Sequence, residues 1–563
     1  MKPELITNSR QIEARTGIPV EAVTLQSTIF LEGPGDRLPL LVRGDDGQMT
    51  LLLRRIELGN YLSMGVAEDA ALRSGVRLAV YDPYFTMSDI GEEYPVYADE
   101  GEAIRAVCEC DAAVAHGDMP YARYRRIAKK LALELTAYDL SWETLYVYEV
   151  DRDYVIRRFT EVDPAAISAA KQILKERTHI SAADEEYLAR LMAAEKDNPF
   201  ALLDQMLAQA GVRCVLLDTK LSVHTATAMP WDDIQPGRMF TRYEQGRIQF
   251  FSAVPQVRSF LKPMGEIAGV QALLAEFDGE PALGIEEKSL PVGIVQTLGE
   301  ERCKGVSAVL TLWHDRCAWQ FLPYYIINGA GNTYALEAGV EYGRHAVETG
   351  ETVMEQDVDR QYVRALQEFI RMYGLEGYEL RKYFSGIQVG DRCPFAALPS
   401  RYPLRAGLKT LKLDCGAQLF RDGILLSGSD QCRSWCPDPG AARVQEIIGQ
   451  VARETVIPAV RSGMEGREAY RIGMRTLAQY TQELRQIGML PPGFDLIQDY
   501  RRNIGHTFSK AESVSVTLDA RTAARFETNM ICCVEFHWPY QDRSFGVEDM
   551  FLVTPDHSIN FTY

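Results

Sequence analysis

The sequence predicts a mixed α/β (α+β) protein built from three consecutive units. Three observations support this fold class. Two candidate β-hairpins, each followed by further strand and helix segments, occur in the first half of the chain. A helix and a buried strand precede the second hairpin. The C-terminal part contains two pairs of helices and a set of β-rich segments.

The two hairpins indicate an internal repeat. Residues 38–55 alternate in polarity around Asp46-Gly47, a dipeptide favoured in tight turns. Residues 237–254 form a second candidate hairpin that turns at Gln245-Gly246. A repeated supersecondary unit predicts two copies of one α/β architecture. The β runs that we match after the two hairpins are residues 74–84 and 280–294.

The segments between the hairpins set the expected domain boundaries. Residues 198–218 predict an amphipathic helix, a stop at Gly211 and a buried strand. The preceding charged helical segment, residues 162–199, predicts a connector that ends near Pro199. We therefore expect a first domain with its connector at 1–196, a second domain at 197–333 and a third at 334–563.

The third unit has its own repeated pattern. Residues 336–373 predict two helices interrupted at Gly350, and residues 441–487 predict two more with a break at Ser462-Gly463. Helices do not alternate singly with strands here, so we expect antiparallel strands joined by hairpins and not a doubly wound parallel sheet. The predicted strands are residues 383–389, 408–420, 512–518, 530–538 and 545–554.

Composition excludes several classes of protein. The chain has 563 residues, is 46% hydrophobic and carries 60 Lys+Arg against 78 Asp+Glu, a net charge of −18. This charge disfavours binding to nucleic acid or to anionic lipid. No apolar stretch is long enough to span a membrane, and the first residues lack an apolar signal core. The 11 cysteines suit reduced thiols. We expect a cytoplasmic protein with a small peptide or small-molecule substrate.

Five residues of the third unit are candidate metal ligands. Each lies within or beside a β run, where a charge is costly unless it is paired or bound to metal. Four carboxylates and one imidazole suit two adjacent divalent ions such as Mn, Fe, Co or Zn. Taken singly, each residue is more often part of a solvated strand edge or an ion pair. The five residues are Asp414, Asp430, His506, Glu535 and Glu548.

The sequence around these residues resembles the pita-bread metallopeptidases, which include methionine aminopeptidase, prolidase, Xaa-Pro aminopeptidase and the metal-free creatinase. LKLDCGA resembles the family's apolar-Asp-x-Gly strand, and SDQCRS resembles its Ser-Asp-x-x-Arg-Thr segment. IGH resembles the Gly-His loop, and CCVEF resembles the Glu strand. The closing segment FGVEDMFLVT, similar to Gly-x-x-Glu-Asp-x-x-Leu-Val-Thr, is the most specific of these matches.

The resemblance implies a fold, a ligand set and an activity. The order of units is similar to that of three-domain Xaa-Pro aminopeptidases: two creatinase-type N-terminal α/β domains and a pita-bread catalytic domain. The five residues would hold two divalent ions, with Mn favoured. Asp414 and Glu548 would bridge, Asp430 would hold one ion, and His506 and Glu535 would complete the other. A metal-bridging hydroxide would attack the scissile carbonyl, with Glu535 or a nearby group relaying a proton. The family also implies a homodimer.

The sequence departs from the family pattern in its histidines. Family peptidases carry one histidine before the first Asp strand and another after the Gly-His loop, and neither is evident here. His537 is a candidate replacement as proton donor because strand alternation places it on the same face as Glu535; a supporting role beside the metals is equally compatible. Lys510 and Glu512 suit a solvated loop. Arg433 is expected to support Asp430.

Three functions are compatible with these residues. The first is a dinuclear-metal hydrolase similar to Xaa-Pro aminopeptidases. The second keeps the metals but hydrolyses a non-peptide C–N bond, or acts as a lyase, on a small metabolite. The third is a non-catalytic binding protein on the same fold. The intact ligand set favours the first, and the missing histidines keep the other two open.

Overall fold

The computed structural model describes residues 2–18, 39–54, 75–81, 95–138, 144–279, 281–392, 398–511 and 514–563. Three seven-stranded sheets follow one another along the described chain. The first has the order β5-β4-β3-β2-β1-β6-β7 and is mixed: the β2–β3 hairpin and β1 are antiparallel, and the outer strands add in parallel. Its strands are β1 Glu4–Ile6, β2 Leu40–Arg43, β3 Met49–Arg54, β4 Val76–Tyr81, β5 Val96–Tyr97, β6 Ala112–Ala115 and β7 Ala132–Leu135.

The second sheet has the order β12-β8-β11-β10-β9-β13-β14 and is also mixed. Its antiparallel part runs from β12 to β9, and β13 and β14 add in parallel beside β9. Its strands are β8 Leu145–Val150, β9 Cys214–Leu217, β10 Met239–Glu244, β11 Arg247–Ser252, β12 Leu261–Ile267, β13 Leu283–Ile285 and β14 Cys303–Gly305.

The repeat is present, but its elements correspond differently from our expectation. Both predicted hairpins form, and in each sheet the first hairpin strand pairs antiparallel with a strand that has a parallel neighbour on its other side. The predicted match between residues 74–84 and 280–294 is wrong for the strands described there. β4 lies beside the second hairpin strand, whereas β13 lies beside β9, on the opposite side of the hairpin. Similar apolar runs cannot show which sheet edge they join.

The third sheet is antiparallel, as predicted, with the order β16-β18-β19-β22-β21-β20. Its two halves meet between β19 and β22 through a single residue pair, Cys432 and Glu548. The strands are β16 Tyr378–Val389, β18 Leu411–Arg421, β19 Ile424–Trp435, β20 Gly505–Thr507, β21 Ile531–Tyr540, β22 Arg543–Val553 and β23 Ser558–Asn560, which pairs with β22; β15 Val353–Met354 and β17 Pro403–Leu404 form a separate pair.

One predicted strand of the third unit does not form. In the described part of 512–518, only Thr517 makes an isolated bridge, to His506. The backbone N–H of Ser515 instead donates to the Asp315 carboxylate (3.1 Å) and to Thr507 Oγ1 (2.9 Å). Backbone hydrogen bonds still join residues 516–518 to residues 504–507. At Ser515, side-chain acceptors replace the backbone partner of a strand ladder.

The helices begin and end where the sequence supplies caps. Asn198, Asp163 and Asp438 are N-caps followed by Pro, and Gly350 ends the longest helix with φ of 75°. The helices are α1 Ser9–Thr16, α2 Glu100–Cys108, α3 Tyr121–Ile127, α4 Arg152–Thr160, α5 Pro164–Arg177, α6 Ala182–Ala193, α7 Pro199–Gln209, α8 Lys220–Thr227, α9 Gly269–Ala275, α10 Val292–Leu298, α11 Ser307–Cys317, α12 Leu322–Thr349, α13 Glu355–Met372, α14 Pro439–Gln450, α15 Ile457–Ala459, α16 Gly466–Ala478 and α17 Thr481–Gln486, with a π-helical turn at Val451–Val456.

Two of these elements bear on the predicted domain boundaries. Strand β8 precedes residue 196 but pairs with β11 and β12 in the second sheet. Helix α12 runs through position 333 and packs against the third sheet. The boundaries at 196/197 and 333/334 stay predictions.

No helix in the described ranges combines the length and apolar character needed to cross a membrane. The ten described cysteines are free thiols.

Helix α12 fixes the β18–β19 hairpin through buried amides. Asn328 is fully buried, and its Nδ2 donates to the carbonyls of Ala417 and Ser427 (both 3.1 Å). Its Oδ1 accepts from Ser429 Oγ (2.9 Å). Buried polar groups of this kind are costly when left unpaired. The helix therefore holds both strands that carry Asp414 and Asp430 at a defined distance from its axis.

We predict that Asn328→Leu lowers the free energy of unfolding by about 1–3 kcal/mol, because it leaves the Ser429 hydroxyl and two carbonyls without this partner. Urea denaturation followed by tryptophan fluorescence measures the change. The control is Glu348→Gln on the same helix, which loses only an exposed pair with Arg344 and should change stability by less than about 1 kcal/mol. Equal midpoints for Asn328→Leu and the control would contradict this account.

Candidate metal centre

Strand register places three of the predicted ligands side by side. Asp414 on β18 lies opposite Cys432 on β19, Cys432 lies opposite Glu548 on β22, and Glu548 lies opposite Glu535 on β21. Residues directly opposed in antiparallel strands point to the same face of the sheet. Asp414, Glu548 and Glu535 therefore share one face across four strands.

The other two predicted ligands lie on the same face. Asp430 is opposite Gly416, two residues from Asp414, and His506 on β20 is opposite Cys533, two residues before Glu535. A separation of two residues preserves the face in a strand. The glycine of the Ile-Gly-His segment also has a physical role: Gly505 has φ of 143°, and a Cβ there would lie 2.3 Å from the Cys533 carbonyl oxygen.

The side-chain atoms on this face converge on Glu548. Potential ligand atoms of His506, Cys533 and Glu548 all lie within 4.8 Å of one another. Those of Asp414, His537 and Glu548 form a second such group with the same limit. Glu548 belongs to both groups and is only 1% exposed. The arrangement is one continuous cluster of carboxylates and imidazoles around one glutamate.

Glu548 is electrostatically strained in the absence of a cation. Burial, followed by the negative charges of Asp430, Glu535 and Asp414, raises its pKa well above the ordinary value. Its Oε1 has no hydrogen-bond partner among the residues described. A buried carboxylate in this state is stabilised by any cation that reaches it.

His506 has a nitrogen suited to a metal. Its Nδ1 donates to the carbonyl of Thr507 (3.0 Å), an assignment that leaves Nε2 with the lone pair. The ring is buried, and the Cys533 thiol lies 3.5 Å from it. A backbone carbonyl that fixes the tautomer is a common support for a ligating histidine.

Glu535 has neighbours at both of its oxygens. Its Oε1 accepts from Asn503 Nδ2 (2.8 Å), and its Oε2 accepts from His537 Nε2 (2.7 Å) and faces Arg502 at 3.5 Å. Burial opposes ionisation, but Arg502 and then His537 lower the pKa of Glu535 far below its usual range. Glu535 is therefore an ionised carboxylate held by side chains of this chain.

His537 lies beside Glu535, as strand alternation predicts. Burial, then Arg502 and Lys412, lowers its pKa to about 4, so the ring is neutral near pH 7. With the Nε2 proton on Glu535, Nδ1 carries the lone pair. Nδ1 lies 3.8 Å from Asp414 Oδ2 and lacks a hydrogen-bond partner within the described ranges.

Lys412 is a functional neighbour that sequence analysis missed. It lies two residues before Asp414 on β18, is 2% exposed, and its Nζ donates to Asp414 Oδ2 (2.9 Å). Although burial opposes it, Lys412 is the main cause that holds the pKa of Asp414 below its usual value. The signal was available, because a charged residue two positions from a strand carboxylate must share its face.

Arg502 and Asn503 were also missed, because they lie in an irregular segment before β20 where no periodicity marks a face.

The expected support of Asp430 by Arg433 is not observed. Arg433 pairs with Asp549 (2.7 Å) and donates to the carbonyl of Glu548 (2.7 Å). Asp549 also accepts from Arg453 (2.7 Å). Residues 430 and 433 differ by an odd number, so their side chains leave opposite faces of β19.

The interpretation of Lys510 as a solvated loop residue is wrong. Lys510 is 7% exposed, and its Nζ lies 4.1 Å from the ring centre of Phe159 and 3.7 Å from that of Phe321. Across the described chain no hydrogen-bond partner reaches Nζ, and burial lowers its pKa well below the ordinary value. Residues distant in sequence enclose it, which a local pattern cannot show. Glu512 lies outside the described residues.

We predict that Lys510→Met stabilises the protein at pH 7 by about 1–3 kcal/mol, the usual cost of a buried polar group that lacks a hydrogen-bond partner. The folded state disfavours the ammonium while the unfolded chain binds a proton below about pH 10.4, so the lysine costs stability as pH falls from there. Urea midpoints at pH 7 and pH 9.5 measure the effect, which should shrink at the higher pH. Lys262→Met, at a position where the side chain is 79% exposed, is the control and should change little. A destabilised Lys510→Met protein at pH 7 would contradict the prediction.

The donor set of this face fits a divalent cation. Carboxylate oxygens and neutral imidazole nitrogens are ligands that Mn, Fe, Co and Zn accept. The lone orphan oxygen of Glu548 and the lone-pair nitrogens of His506 and His537 point to a cation that would satisfy them. Lys412 and Arg502 already place positive charge beside Asp414 and Glu535 on the same face. Their charges repel further cations, so they limit how many metal ions this face can bind.

Comparison with known proteins identifies the fold. No family model and no curated protein matches the sequence. An X-prolyl aminopeptidase from Caenorhabditis elegans, described as a cytosolic enzyme with a di-nuclear active site, matches 100% of this chain and 86% of its own, with a TM-score of 0.57 and 10% identity. The prolidase from Pyrococcus horikoshii OT3 matches 65% of this chain and 98% of its own, with a TM-score of 0.48 and 16% identity.

The chain has the fold of a multidomain X-prolyl aminopeptidase. The match to the Caenorhabditis elegans structure extends over the full chain and confirms the predicted architecture of two creatinase-type α/β units and a pita-bread unit. At 10% identity the likeness concerns the fold. The chemistry must be argued from the residues of this chain.

Proposed function

We propose that this chain is a metal-dependent hydrolase that cleaves small peptides in the manner of Xaa-Pro aminopeptidases. The observation that supports it most is the convergence of two groups of ligand atoms on Glu548, each within 4.8 Å. Both groups lie on one face of the antiparallel sheet. The fold matches that of an X-prolyl aminopeptidase and agrees with this chemistry.

The proposed metal ligands are drawn from the five residues predicted from the sequence: Asp414, Asp430, His506, Glu535 and Glu548. A bound divalent ion would polarise the scissile carbonyl and lower the pKa of water. Side chains of this chain would orient the reacting groups and transfer the proton. Arg502 and Asn503 hold Glu535, and Glu535 in turn orients the His537 ring through Nε2.

His537 is our proposed proton carrier. Its Nδ1 is unprotonated, buried and 3.8 Å from Asp414 Oδ2, so it can accept the proton lost by the attacking water and release it to the leaving nitrogen. Burial, followed by Arg502 and Lys412, lowers the pKa of His537, so the ring is neutral near pH 7 and Nδ1 is available as a proton acceptor. This role would replace the histidines that the family pattern places elsewhere.

Further assignments are proposed from the sequence and from the family resemblance. These are manganese as the native metal, a homodimer as the assembled form, the cytoplasm as the location, and the domain divisions at 1–196, 197–333 and 334–563. No role for nucleic acid or a membrane is proposed, because the net charge of −18 disfavours anionic partners.

The proposed function predicts metal-dependent cleavage of Xaa-Pro peptides. The purified chain should release the N-terminal residue when Mn²⁺ or Co²⁺ is added, and a chelator should abolish the release. His506→Ala should lower kcat/KM at least about 100-fold, because it removes a metal ligand. Chromatographic detection of the free amino acid measures the rate.

The matched control is His345→Ala, which removes an exposed imidazole on α12 and should leave the rate unchanged. Cleavage that persists both in chelator and in His506→Ala would exclude the proposed mechanism. Absence of cleavage across a broad peptide panel, in a protein that binds metal, would direct the search to non-peptide C–N bonds. A folded protein without metal affinity would indicate a binding role.

The proton-carrier proposal predicts a separate effect. His537→Gln should lower kcat by about 10²–10⁴-fold with little change in KM, because the substitution removes proton transfer but keeps a polar group beside Glu535. Steady-state kinetics on the same peptides measure both constants. A rise in KM with kcat unchanged would instead assign His537 to substrate binding.

A further inference from the structure

We propose that this centre binds one divalent ion per chain, and that the Lys412 ammonium supplies the positive charge expected from a second ion. This inference rests on the proposed metal-dependent function and changes its stoichiometry. It follows from the hydrogen bonds that the ligand residues already make within the chain. The two-ion arrangement implied by the sequence resemblance would need all five residues to be available.

Asp414 is paired with an ammonium inside the protein. Lys412 Nζ lies 2.9 Å from Asp414 Oδ2, and the lysine side chain is 3% exposed. The two side chains are only 3% and 14% exposed, so water screens the pair less than it would at the surface. A divalent ion on the same oxygen would place two cations against one carboxylate. The pair therefore disfavours metal at Asp414.

Glu535 is likewise engaged. Its two oxygens accept from Asn503 (2.8 Å) and from His537 (2.7 Å), and the Arg502 guanidinium lies 3.5 Å away. A metal bound to Glu535 would have to displace one of these contacts. Two of the five predicted ligands are thus held by neighbouring side chains, and both lie on the strands that carry Lys412 and His537.

Two of the remaining ligands, His506 and Glu548, lie close together. His506 and Glu548 each contribute one ligand atom to the group within 4.8 Å that includes Cys533. Asp430 adds its charge to Glu548 from β19. Two carboxylates and one imidazole are a sufficient set for a single divalent ion, with open positions for water or substrate.

The charge balance of the face agrees with one ion. With a metal bound and all four carboxylates ionised, the carboxylates contribute −4 and the two internal cations +2, which leaves −2 for one divalent ion to neutralise. Arg433 and Arg453 do not enter this sum, because both pair with Asp549 on the opposite face. The carboxylates are Asp414, Asp430, Glu535 and Glu548, and the cations are Lys412 and Arg502.

Metal stoichiometry tests the proposal directly. The full chain is equilibrated with Mn²⁺, freed of loose metal and analysed by elemental mass spectrometry, and Mn²⁺ binding is titrated by calorimetry. We expect one equivalent per chain in the native protein and two in Lys412→Met, which keeps the length of the side chain and removes its charge. Lys409→Met loses a lysine that is 38% exposed and pairs with Asp542, and should retain one equivalent.

Each outcome is decisive. Two equivalents in the native protein would overturn the inference and leave the proposed hydrolase intact, and one equivalent in Lys412→Met would show that the ammonium does not exclude the second ion. Absence of bound metal in every variant would remove the proposed function itself. If Lys412→Met does not fold, electron paramagnetic resonance of the native Mn²⁺ protein decides: an isolated-ion spectrum supports the inference, and an exchange-coupled pair overturns it.

Discussion

Burial of like charge on one face of an antiparallel sheet is the constraint on which the rest of this structure depends. Asp430, Glu535 and Glu548 are 5%, 8% and 1% exposed, and Asp414 lies beside them. Such carboxylates cannot remain ionised together without nearby positive charge. The chain supplies part of that charge from Lys412 and Arg502, and the orphan oxygen of Glu548 indicates where the remainder is needed.

The surrounding fold holds these charges in place from the opposite face. Asn328 and Asn332 on α12 donate to carbonyls of β18 and β19, and Tyr362 on α13 donates to Asn332 (2.8 Å). On the other half of the sheet, Asp549 accepts from Arg453 of the π-helical turn. Since Glu548 and Asp549 are adjacent, one points to the charged face and the next anchors the strand to the helices.

Sequence analysis could predict much of this arrangement, because strand alternation relates spacing to position. The two hairpins, the paired helices and the antiparallel sheet all have local signals, and the five acidic and imidazole positions lie on β strands where one face is defined. His537 was placed beside Glu535 by the same alternation, and Lys412 could have been found in that way.

Other features depend on contacts between distant segments. Lys510 is enclosed by Phe159 and Phe321, so its burial cannot be predicted from the neighbouring sequence. Ser515 is held by Asp315 from α11, and the sequence of residues 512–518 alone does not show that this contact interrupts the predicted strand. β4 pairs with β3, whereas β13 pairs with β9. An apolar run in the sequence predicts a strand but does not show which neighbour that strand will pair with. Arg502 comes from an irregular segment, where no periodicity assigns a face.

The most direct test of the central claim is a crystal structure grown with Mn²⁺ and examined by anomalous diffraction. The account predicts an anomalous peak on the charged face of the third sheet, bonded to Glu548 and His506. A map in which Glu548 and His506 contact no metal, or in which the manganese lies away from this face, would contradict it.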